Sequence, residues 1–426
     1  MPHPDIAFSI VFLIALGAMV GAKLWLASRQ IRFVANHRDQ VPPQFSNTIA
    51  LTAHQRAADY TIARTRFTMV DVVISAIVLI GFTLLGGLQA LDLVITSRVG
   101  NGYIGQIVLV ASVVVITGLI DLPLSYIRHF VIEERFGFNR RTRYLFFVDQ
   151  IKSALLGAAI GIPLLFVVLW LMNEAGNLWW LWTWVFWTAF QLLAIVLYPS
   201  FIAPLFNKFE PLRNEALTSR IEALLRRCGF AVKGLYVMDG SRRSAHGNAY
   251  FTGFGAAKRI VFFDTLLDRL SGEEIEAVLA HELGHFKRRH MIKGLGIMSV
   301  ISLAALALLG WLSQHAWFYE GLGVQPSPTG GNSGLALVLF FLVVPVFLFF
   351  MTPLGSLRSR RHEFEADAFA AGQTDPKDLV NALVKLYEDN ASTLTPDPIY
   401  TAFYYSHPPA SQRIDRLLNL KRPSPI

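Results

Sequence analysis

Long apolar stretches alternate with polar segments along the whole chain of 426 residues. Seven of these stretches have about twenty residues, the length that crosses the roughly 30 Å hydrocarbon core of a bilayer as a helix. They span residues 6–27, 69–91, 104–127, 153–172, 178–198, 291–312 and 335–354. The pattern predicts an all-α membrane protein with seven transmembrane helices and a folded polar insertion, residues 199–290, between the fifth and the sixth.

The composition agrees with this pattern, because 53% of the residues are hydrophobic and only 16% are charged. Such a balance excludes an ordinary soluble domain of this size. No Lys or Arg precedes the first apolar stretch, and that stretch is too long for a cleaved signal peptide. It is therefore interpreted as a permanent anchor.

Lys and Arg are unevenly distributed between the polar segments. Residues 28–67 and 128–152 carry six each, whereas residues 92–103 carry one and residues 313–333 carry none. Because cytoplasmic loops carry the excess of positive charge, the N-terminus is predicted outside, and the insertion and C-terminal tail in the cytoplasm. The net charge of +8 follows from this bias, which favours the lipid bilayer as a partner and argues against nucleic acid.

The sequence HELGH places His281 and His285 four residues apart. On a helix this spacing brings both imidazoles to one face, where they can bind the same ion. Glu282 is then placed to act as a general base, as in the H-E-x-x-H motif of zinc hydrolases. The one cysteine, Cys228, excludes a disulfide and a cysteine-rich metal cluster, and it is interpreted as a small buried apolar residue.

Local signals predict a helix over this motif. Ser271 and Glu274 match a capping box, in which each side chain binds a backbone N–H group of the helix start. The helix is predicted to continue without a break into the sixth apolar stretch, so that the motif is carried on the stem of a membrane span.

A catalytic zinc ion takes three protein ligands and keeps one open position. The best source of the third ligand is SRRHEFEADAFAAG, just after the seventh apolar stretch. If both helices continue out of the membrane, His285 and Glu363 lie roughly 9 to 14 Å above it. Glu363 and Asp367 share a face, consistent with one carboxylate on the metal and the other orienting a histidine ligand.

Three other residues of these segments are weaker candidates. Glu365 points about 200° away from Glu363 on the helix, and we expect it to be solvated or paired with Arg. His290 and His362 compete as ligands by residue type, but neither shares the face of the predicted ligands.

With both motifs placed, the chain resembles the type I CAAX prenyl proteases, which are integral-membrane zinc endopeptidases with seven spans. The resemblance covers most of the chain and rests on HELGH, SRRHEFEADAFA, YIRHFVIEERFGFNRRT (126–142), YPSFIAPLFNKFEPL (198–212), HGNAYFTGFGAAKRIVFFDTLL (246–267) and SHPPASQRIDRL (406–417). It implies one zinc ion per chain. The implied residues are His281, His285 and Glu363 as ligands, Glu282 as the catalytic base and Asp367 as their support.

The resemblance also implies that Asn248 binds substrate backbone and that His407 and Arg413 lie beside the active site, where His407 helps to stabilise the oxyanion. The segments AYFTGF and RIVFF, which follow Asn248, predict two short strands that form a hairpin with an edge for an extended peptide.

Family members enclose a water-filled chamber between the seven helices. Four polar residues in or near the apolar stretches are compatible with such a chamber, namely Asp71, Gln106, Asp121 and Gln191. The alternative is that these residues form hydrogen bonds between helices or lie near the membrane surface.

These patterns predict a membrane-embedded zinc metalloendopeptidase that cuts near the C-terminus of prenylated CAAX-type proteins or of other membrane-associated proteins. The alternative is a quality-control factor that binds translocating or misfolded polypeptides, with proteolysis secondary. The short external loops favour a bacterial inner-membrane protein over one of the endoplasmic reticulum. The expected parts are 1–198 with five spans, the insertion 199–290, 291–354 with two spans, and the tail 355–426, which completes the zinc site.

Overall fold

The structure is a computed structural model that describes residues 3–252 and 259–420. The helices of the described chain are α1 (Pro4–Asn36), α2 (Leu51–Phe82), α3 (Gly87–Val99), α4 (Tyr103–Ile127), α5 (Arg143–Glu174), α6 (Trp179–Leu197), α7 (Glu215–Cys228), α8 (Asp264–Leu267), α9 (Gly272–Lys287), α10 (His290–Leu312), α11 (Ala316–Glu320), α12 (Ser333–Leu348), α13 (Thr352–Ala371), α14 (Pro376–Asp389), α15 (Pro398–Tyr404) and α16 (Ala410–Asn419). The strands are β1 (Phe209–Pro211), β2 (Gly234–Met238), β3 (Ala249–Thr252) and β4 (Arg259–Phe263).

Seven helical segments of the described chain are long and apolar enough to cross a membrane. They are Pro4–Asn36, Leu51–Phe82, Tyr103–Glu133, Arg143–Glu174, Gly176–Leu205, His290–Leu312 and Ser333–Ala371. Many large apolar side chains remain exposed along them, as helices that contact lipid require. The predicted fold class is therefore confirmed. The seventh segment is the most buried, so it lies at the centre of the bundle.

The second predicted stretch, residues 69–91, is not one helix. α2 ends at Phe82 and α3 begins at Gly87, with a turn between them. Gly86 has a φ of 76°, which glycine adopts readily, and a Cβ on Gly87 would lie 2.5 Å from the carbonyl oxygen of Gly81. The apolar pattern missed this turn because the residues on both sides of it are apolar.

The predicted continuous helix from HELGH into the sixth span is also wrong. α9 ends at Lys287, and α10 begins at His290. Between them Arg289 has a φ of 56°, a left-handed conformation that cannot continue an α-helix. The seventh span behaves as predicted, because α12 passes through a 3₁₀ turn, Phe349–Met351, directly into α13. Only one of the two membrane spans therefore extends as a continuous helical segment to the predicted site.

A small sheet lies in the insertion, with strand order β1-β2-β4-β3. β3 and β4 are antiparallel, which confirms the predicted pair of strands, although residues 253–258 between them lie outside the described residues. Ser271 and Glu274 form the predicted capping box at the start of α9. Cys228 is buried, as predicted, in an apolar core that α7, α9 and α14 share with the sheet.

A cavity of about 730 Å³ lies between the membrane helices, and its lining includes Lys23, Asp71 and Asp121. The two acidic side chains therefore face an internal space, as the chamber interpretation expects. Gln106 instead serves a contact between helices, because its side-chain oxygen accepts a hydrogen bond from the backbone N–H of Gly334 at 2.9 Å. Both interpretations of the intramembrane polar residues thus apply, and Asp71 fits both, because its Oδ2 also accepts a hydrogen bond from Arg128 at 2.7 Å.

Candidate metal centre

The candidate centre is formed where α9 crosses α13. Gly284, inside the HELGH sequence, packs so closely on α13 that a Cβ at this position would lie 2.9 Å from the Cα of Ala366. Ala366 and Ala370 are fully buried at the crossing. Small residues on both helices therefore let the backbones approach, which brings the histidines of α9 within reach of a carboxylate on α13.

His281, His285 and Glu363 bring three ligand atoms within 4.8 Å of one another. The Nε2 atoms of the two histidines are 3.2 Å apart. Glu363 places Oε1 3.3 Å from Nε2 of His285 and Oε2 3.5 Å from Nε2 of His281. Two ligands of a tetrahedral ion with bonds of about 2.0–2.1 Å lie roughly 3.3–3.4 Å apart, so these separations fit such an ion.

Glu363 supplies further evidence for a positive charge at this point. It is 4% exposed, and its Oε2 atom accepts no hydrogen bond from any residue of the described chain. Its cationic neighbours are Nε2 of His281 at 3.5 Å and Nη1 of Arg413 at 3.6 Å, which form ion pairs without hydrogen-bond geometry. A buried carboxylate oxygen without a hydrogen bond is costly unless a cation or a donor reaches it more closely. The donor set of two imidazole nitrogens and one carboxylate is also the set that catalytic zinc sites use.

Asp367 and Arg413 hold His281 from behind, and we call this pair the His281 support. Nδ1 of His281 lies 2.8 Å from Oδ1 of Asp367. Arg413 donates two hydrogen bonds to the same carboxylate, from Nη2 at 2.6 Å and from Nε at 2.9 Å. A proton on Nδ1 leaves the Nε2 lone pair of His281 facing the centre of the cluster.

The electrostatics of the His281 support favour positive charge. Burial disfavours the imidazolium of His281, but hydrogen bonds to Asp367 and Glu363 outweigh it and raise the pKa to about 9. Burial likewise opposes the charge of Arg413, and its hydrogen bonds to Asp367 raise its pKa nevertheless. Two carboxylates therefore stabilise a positive charge at His281, whether a proton or a metal ion carries it.

His290 and Glu365 hold the other histidine, and we call this pair the His285 support. The Nδ1 atoms of His285 and His290 are 3.0 Å apart, and Nε2 of His290 lies 3.0 Å from Oε2 of Glu365. If Nε2 of His290 donates to Glu365, its Nδ1 accepts from His285, and Nε2 of His285 keeps its lone pair for the metal. The His362 ring stacks on His290 at 3.9 Å.

This arrangement differs from the sequence interpretation at Glu365, and it gives His290 and His362, the weaker ligand candidates, a position that the sequence did not indicate. Glu365 was expected to be solvated or paired with Arg, and the structure pairs it with His290. His290 and His362 lie behind His285 rather than among the atoms that meet at the centre. The missed signal is the turn at Arg289, which brings the first residue of α10 back to α9.

Glu282 and His407 are the remaining predicted residues near the ligands. Glu282 is half-buried, and no hydrogen bond or ion pair from the described residues engages its carboxylate. His407 lies on the open side, with Nε2 3.6 Å from Oε1 of Glu363 and Nδ1 2.9 Å from the hydroxyl of Ser406. The structure thus brings the exposed imidazole of His407 to the cluster, and Glu282 follows the first ligand in the sequence with its carboxylate unpaired among the described residues.

Asn248 lies at the start of the edge strand β3. Its side chain is exposed, and its Oδ1 accepts a hydrogen bond from the backbone N–H of Ala249 at 2.8 Å. The ring of Phe251 in β3 packs 4.9 Å from that of Phe286, which directly follows His285. The edge strand therefore runs beside the helix that carries both histidines.

Comparison with known proteins gives the family of the chain. Residues 30–208 match the family described as CAAX prenyl protease N-terminal, five membrane helices, and residues 211–421 match peptidase family M48. CAAX prenyl protease 1 of Saccharomyces cerevisiae is 33% identical and aligns with 98% of this chain and 96% of its own length. A CAAX prenyl protease 1 homolog of Arabidopsis thaliana is 38% identical over 71% of each chain.

Among solved structures, that of S. mikatae Ste24p matches with a TM-score of 0.89 and 30% sequence identity, and the match covers 96% of this chain and 99% of that chain. The structural match extends over nearly the whole fold, and the match to peptidase family M48 includes both HELGH and Glu363. The chain therefore belongs to peptidase family M48, in its CAAX prenyl protease branch, and is a multi-pass integral membrane metalloendopeptidase.

Proposed function

We propose that the metal is zinc, that His281, His285 and Glu363 bind it, and that the substrates are membrane-associated proteins, including prenylated CAAX-type proteins. The observation that carries this proposal is the buried convergence of three ligand atoms within 4.8 Å, at separations that suit a tetrahedral ion. The names of the relatives support the substrate class.

A zinc ion held by His281, His285 and Glu363 would supply Lewis acidity, which polarises a carbonyl and lowers the pKa of water. Glu282 has a free carboxylate beside the first ligand, so it takes the proton of the attacking water and later gives it to the leaving amine. His407, on the exposed side of Glu363, donates a hydrogen bond to the developing oxyanion. Asp367 and Arg413 keep His281 oriented.

The substrate is proposed to bind as an extended chain along β3. Within the part of the chain that the structure describes, no strand pairs with the outer edge of β3, because β4 pairs with its inner edge. Asn248 breaks its local contact with Ala249 and holds the substrate backbone through its side-chain amide. The contact between Phe251 and Phe286 fixes the distance between this edge and the histidine ligands.

The orientation in the membrane is part of the proposal. The excess of Lys and Arg in residues 28–67 and 128–152 supports a cytoplasmic site and an N-terminus on the outside. In a bacterial cell this corresponds to the inner membrane. Membrane-associated or misfolded proteins then become the main substrates, because bacteria generally lack prenylation.

The function is tested by measuring the cleavage of one peptide in two forms. One form is plain, and the other is farnesylated at a cysteine near its C-terminus. We expect purified wild type to cut both forms, and the farnesylated form faster because the lipid raises its local concentration at the membrane. Glu282→Gln should retain zinc, measured by elemental analysis, while cleavage falls by about 10²- to 10⁴-fold. Glu273→Gln, an exposed position on the same helix, is the matched control.

Two results would contradict the proposal. Full activity of Glu282→Gln would remove the proposed base, and strict dependence on the farnesyl group would exclude the broader substrate class. Wild type that binds both peptides without cutting either would support the quality-control alternative instead.

A further inference from the structure

A second cavity, of about 690 Å³, lies between the start of α5 and the segment that follows the fifth span. Its charged lining residues are all cationic: Arg140, Lys152, Lys208, Arg242 and Arg243. We call it the interfacial cavity. It is far along the sequence from the metal ligands, and it shares no lining residue with the cavity between the membrane helices.

Most of this positive charge is uncompensated. Arg243 pairs with Asp149 at 2.9 Å, but Arg140, Lys208 and Arg242 have no carboxylate partner within the described chain. Lys152 donates to the carbonyl oxygen of Leu205 at 3.1 Å, which leaves its charge unneutralised. A cavity lined in this way has a positive potential that attracts an anion.

One further carboxylate lies near the cavity, and a helix start adds positive potential to it. Asp239 turns its Oδ1 to the backbone N–H of Lys208 at 2.7 Å and does not line the cavity. The first turn of α5 contributes Tyr144 and Leu145 to the lining, and the positive end of this 32-residue helix adds to the charge there.

Two exposed apolar stripes lead to the same cavity. Tyr144, Phe147, Ile151 and Leu155 are exposed and follow each other at helical spacing along α5. Tyr198, Phe201 and Leu205 form a similar exposed stripe at the end of the fifth span. Tyr144 and Leu205 also line the cavity, so each stripe ends at its rim.

We propose that the interfacial cavity binds the phosphate of an anionic phospholipid headgroup. The cations and the helix start hold the phosphate, and the two apolar stripes contact the acyl chains below it. A soluble phosphate ion would use the cations but not the stripes, so the stripes favour the lipid. The proposal does not depend on which residues bind the metal.

The test uses the full-length protein purified in detergent and titrated with phosphatidylglycerol, phosphatidylcholine or inorganic phosphate, with retained ligand counted by native mass spectrometry. We expect wild type to prefer phosphatidylglycerol to both other ligands. Arg140→Gln/Arg242→Gln should weaken phosphatidylglycerol binding by about tenfold or more, because each removed cation contributes roughly fivefold. Arg140→Lys/Arg242→Lys, which keeps both charges, should restore most of it.

A matched control removes the same charge elsewhere. Arg226 and Lys233 line a separate concave patch that also contains Glu222, and Arg226→Gln/Lys233→Gln should leave binding within about twofold of wild type. An equal loss in this control would show a general effect of net charge and overturn the proposal. Inorganic phosphate that binds as tightly as phosphatidylglycerol would replace the lipid by a free ion. Equal binding of both lipids would show that the cavity does not select a net anionic headgroup and would overturn the proposal.

Discussion

The two histidines of the metal centre have different supports. The His281 support ends in Arg413, which is 5% exposed and binds Asp367 through two hydrogen bonds. The His285 support ends in Glu365, whose side chain is 47% exposed. Both supports orient an imidazole through Nδ1, but one is sealed in the protein and the other ends in solvent.

A buried polar network can both stabilise the fold and orient a metal ligand, and the two supports allow these two effects to be measured separately. Breaking a buried ion pair leaves an unpaired charge in the protein and destabilises the fold as well as the site. An exposed charge is solvated when its partner is lost and contributes little to stability. We therefore expect the His281 support to affect both folding and metal affinity, and the His285 support to affect metal affinity alone.

The largest expected effect comes from Glu363, the proposed metal ligand that contacts both histidines. Glu363→Ala should abolish stable metal binding, because it leaves two protein ligands and removes the negative charge between them. Metal content after purification measures this directly. Glu365→Ala, two residues away on the same helix, is the control and should retain metal. A metal-free Glu365→Ala protein with metal-loaded Glu363→Ala would overturn the ligand assignment.

The second effect concerns the His281 support. Asp367→Ala should lower metal affinity by about 10- to 100-fold, since His281 loses the partner that orients it. It should also lower the free energy of unfolding by about 3 kcal/mol, at the lower end for a broken buried ion pair, because Arg413 is left buried with only its longer ion pair to Glu363 at 3.6 Å. Chelator competition and thermal unfolding measure the two quantities.

A double variant separates these two consequences. Asp367→Ala/Arg413→Met removes the unpaired charge, so it should recover much of the lost stability while metal affinity stays low. Recovery of metal affinity in the double variant would mean that Asp367 acts only by neutralising Arg413.

The sequence was sufficient for features that depend on local spacing. The apolar stretches, the HELGH face and the capping box of Ser271 and Glu274 each require only a helical period and a few neighbouring residues. The pairing of Glu363 and Asp367 on one face also follows from the period. These features can be predicted from the sequence because they depend only on a regular local backbone.

The sequence failed where one residue changes the direction of the chain. Arg289 has no glycine, proline or asparagine beside it, so nothing in RRHM indicates a left-handed residue. Without this turn His290 cannot be placed behind His285. The close contact at Gly284 was equally hidden, because it depends on which helix packs there.

The third prediction tests the His285 support. His290→Phe keeps an aromatic ring to stack on His362 but removes the acceptor for Nδ1 of His285. Metal affinity should fall by about tenfold, at the lower end of the range for lost supporting hydrogen bonds. His290→Gln, whose side-chain oxygen can accept this bond, should recover part of the affinity. A loss of stability as large as that of Asp367→Ala would remove the distinction between the two supports.

The smallest effect is expected at the exposed end of the His285 support. Glu365→Gln keeps an oxygen that accepts from Nε2 of His290 but removes the charge. Because this carboxylate is exposed, metal affinity should fall only about two- to threefold, and the difference from wild type should shrink as salt screens the charge. Glu388→Gln, an exposed position on α14, is the control. A large effect that salt does not change would mean that Glu365 acts through a rigid hydrogen bond, and the two supports would then be equivalent.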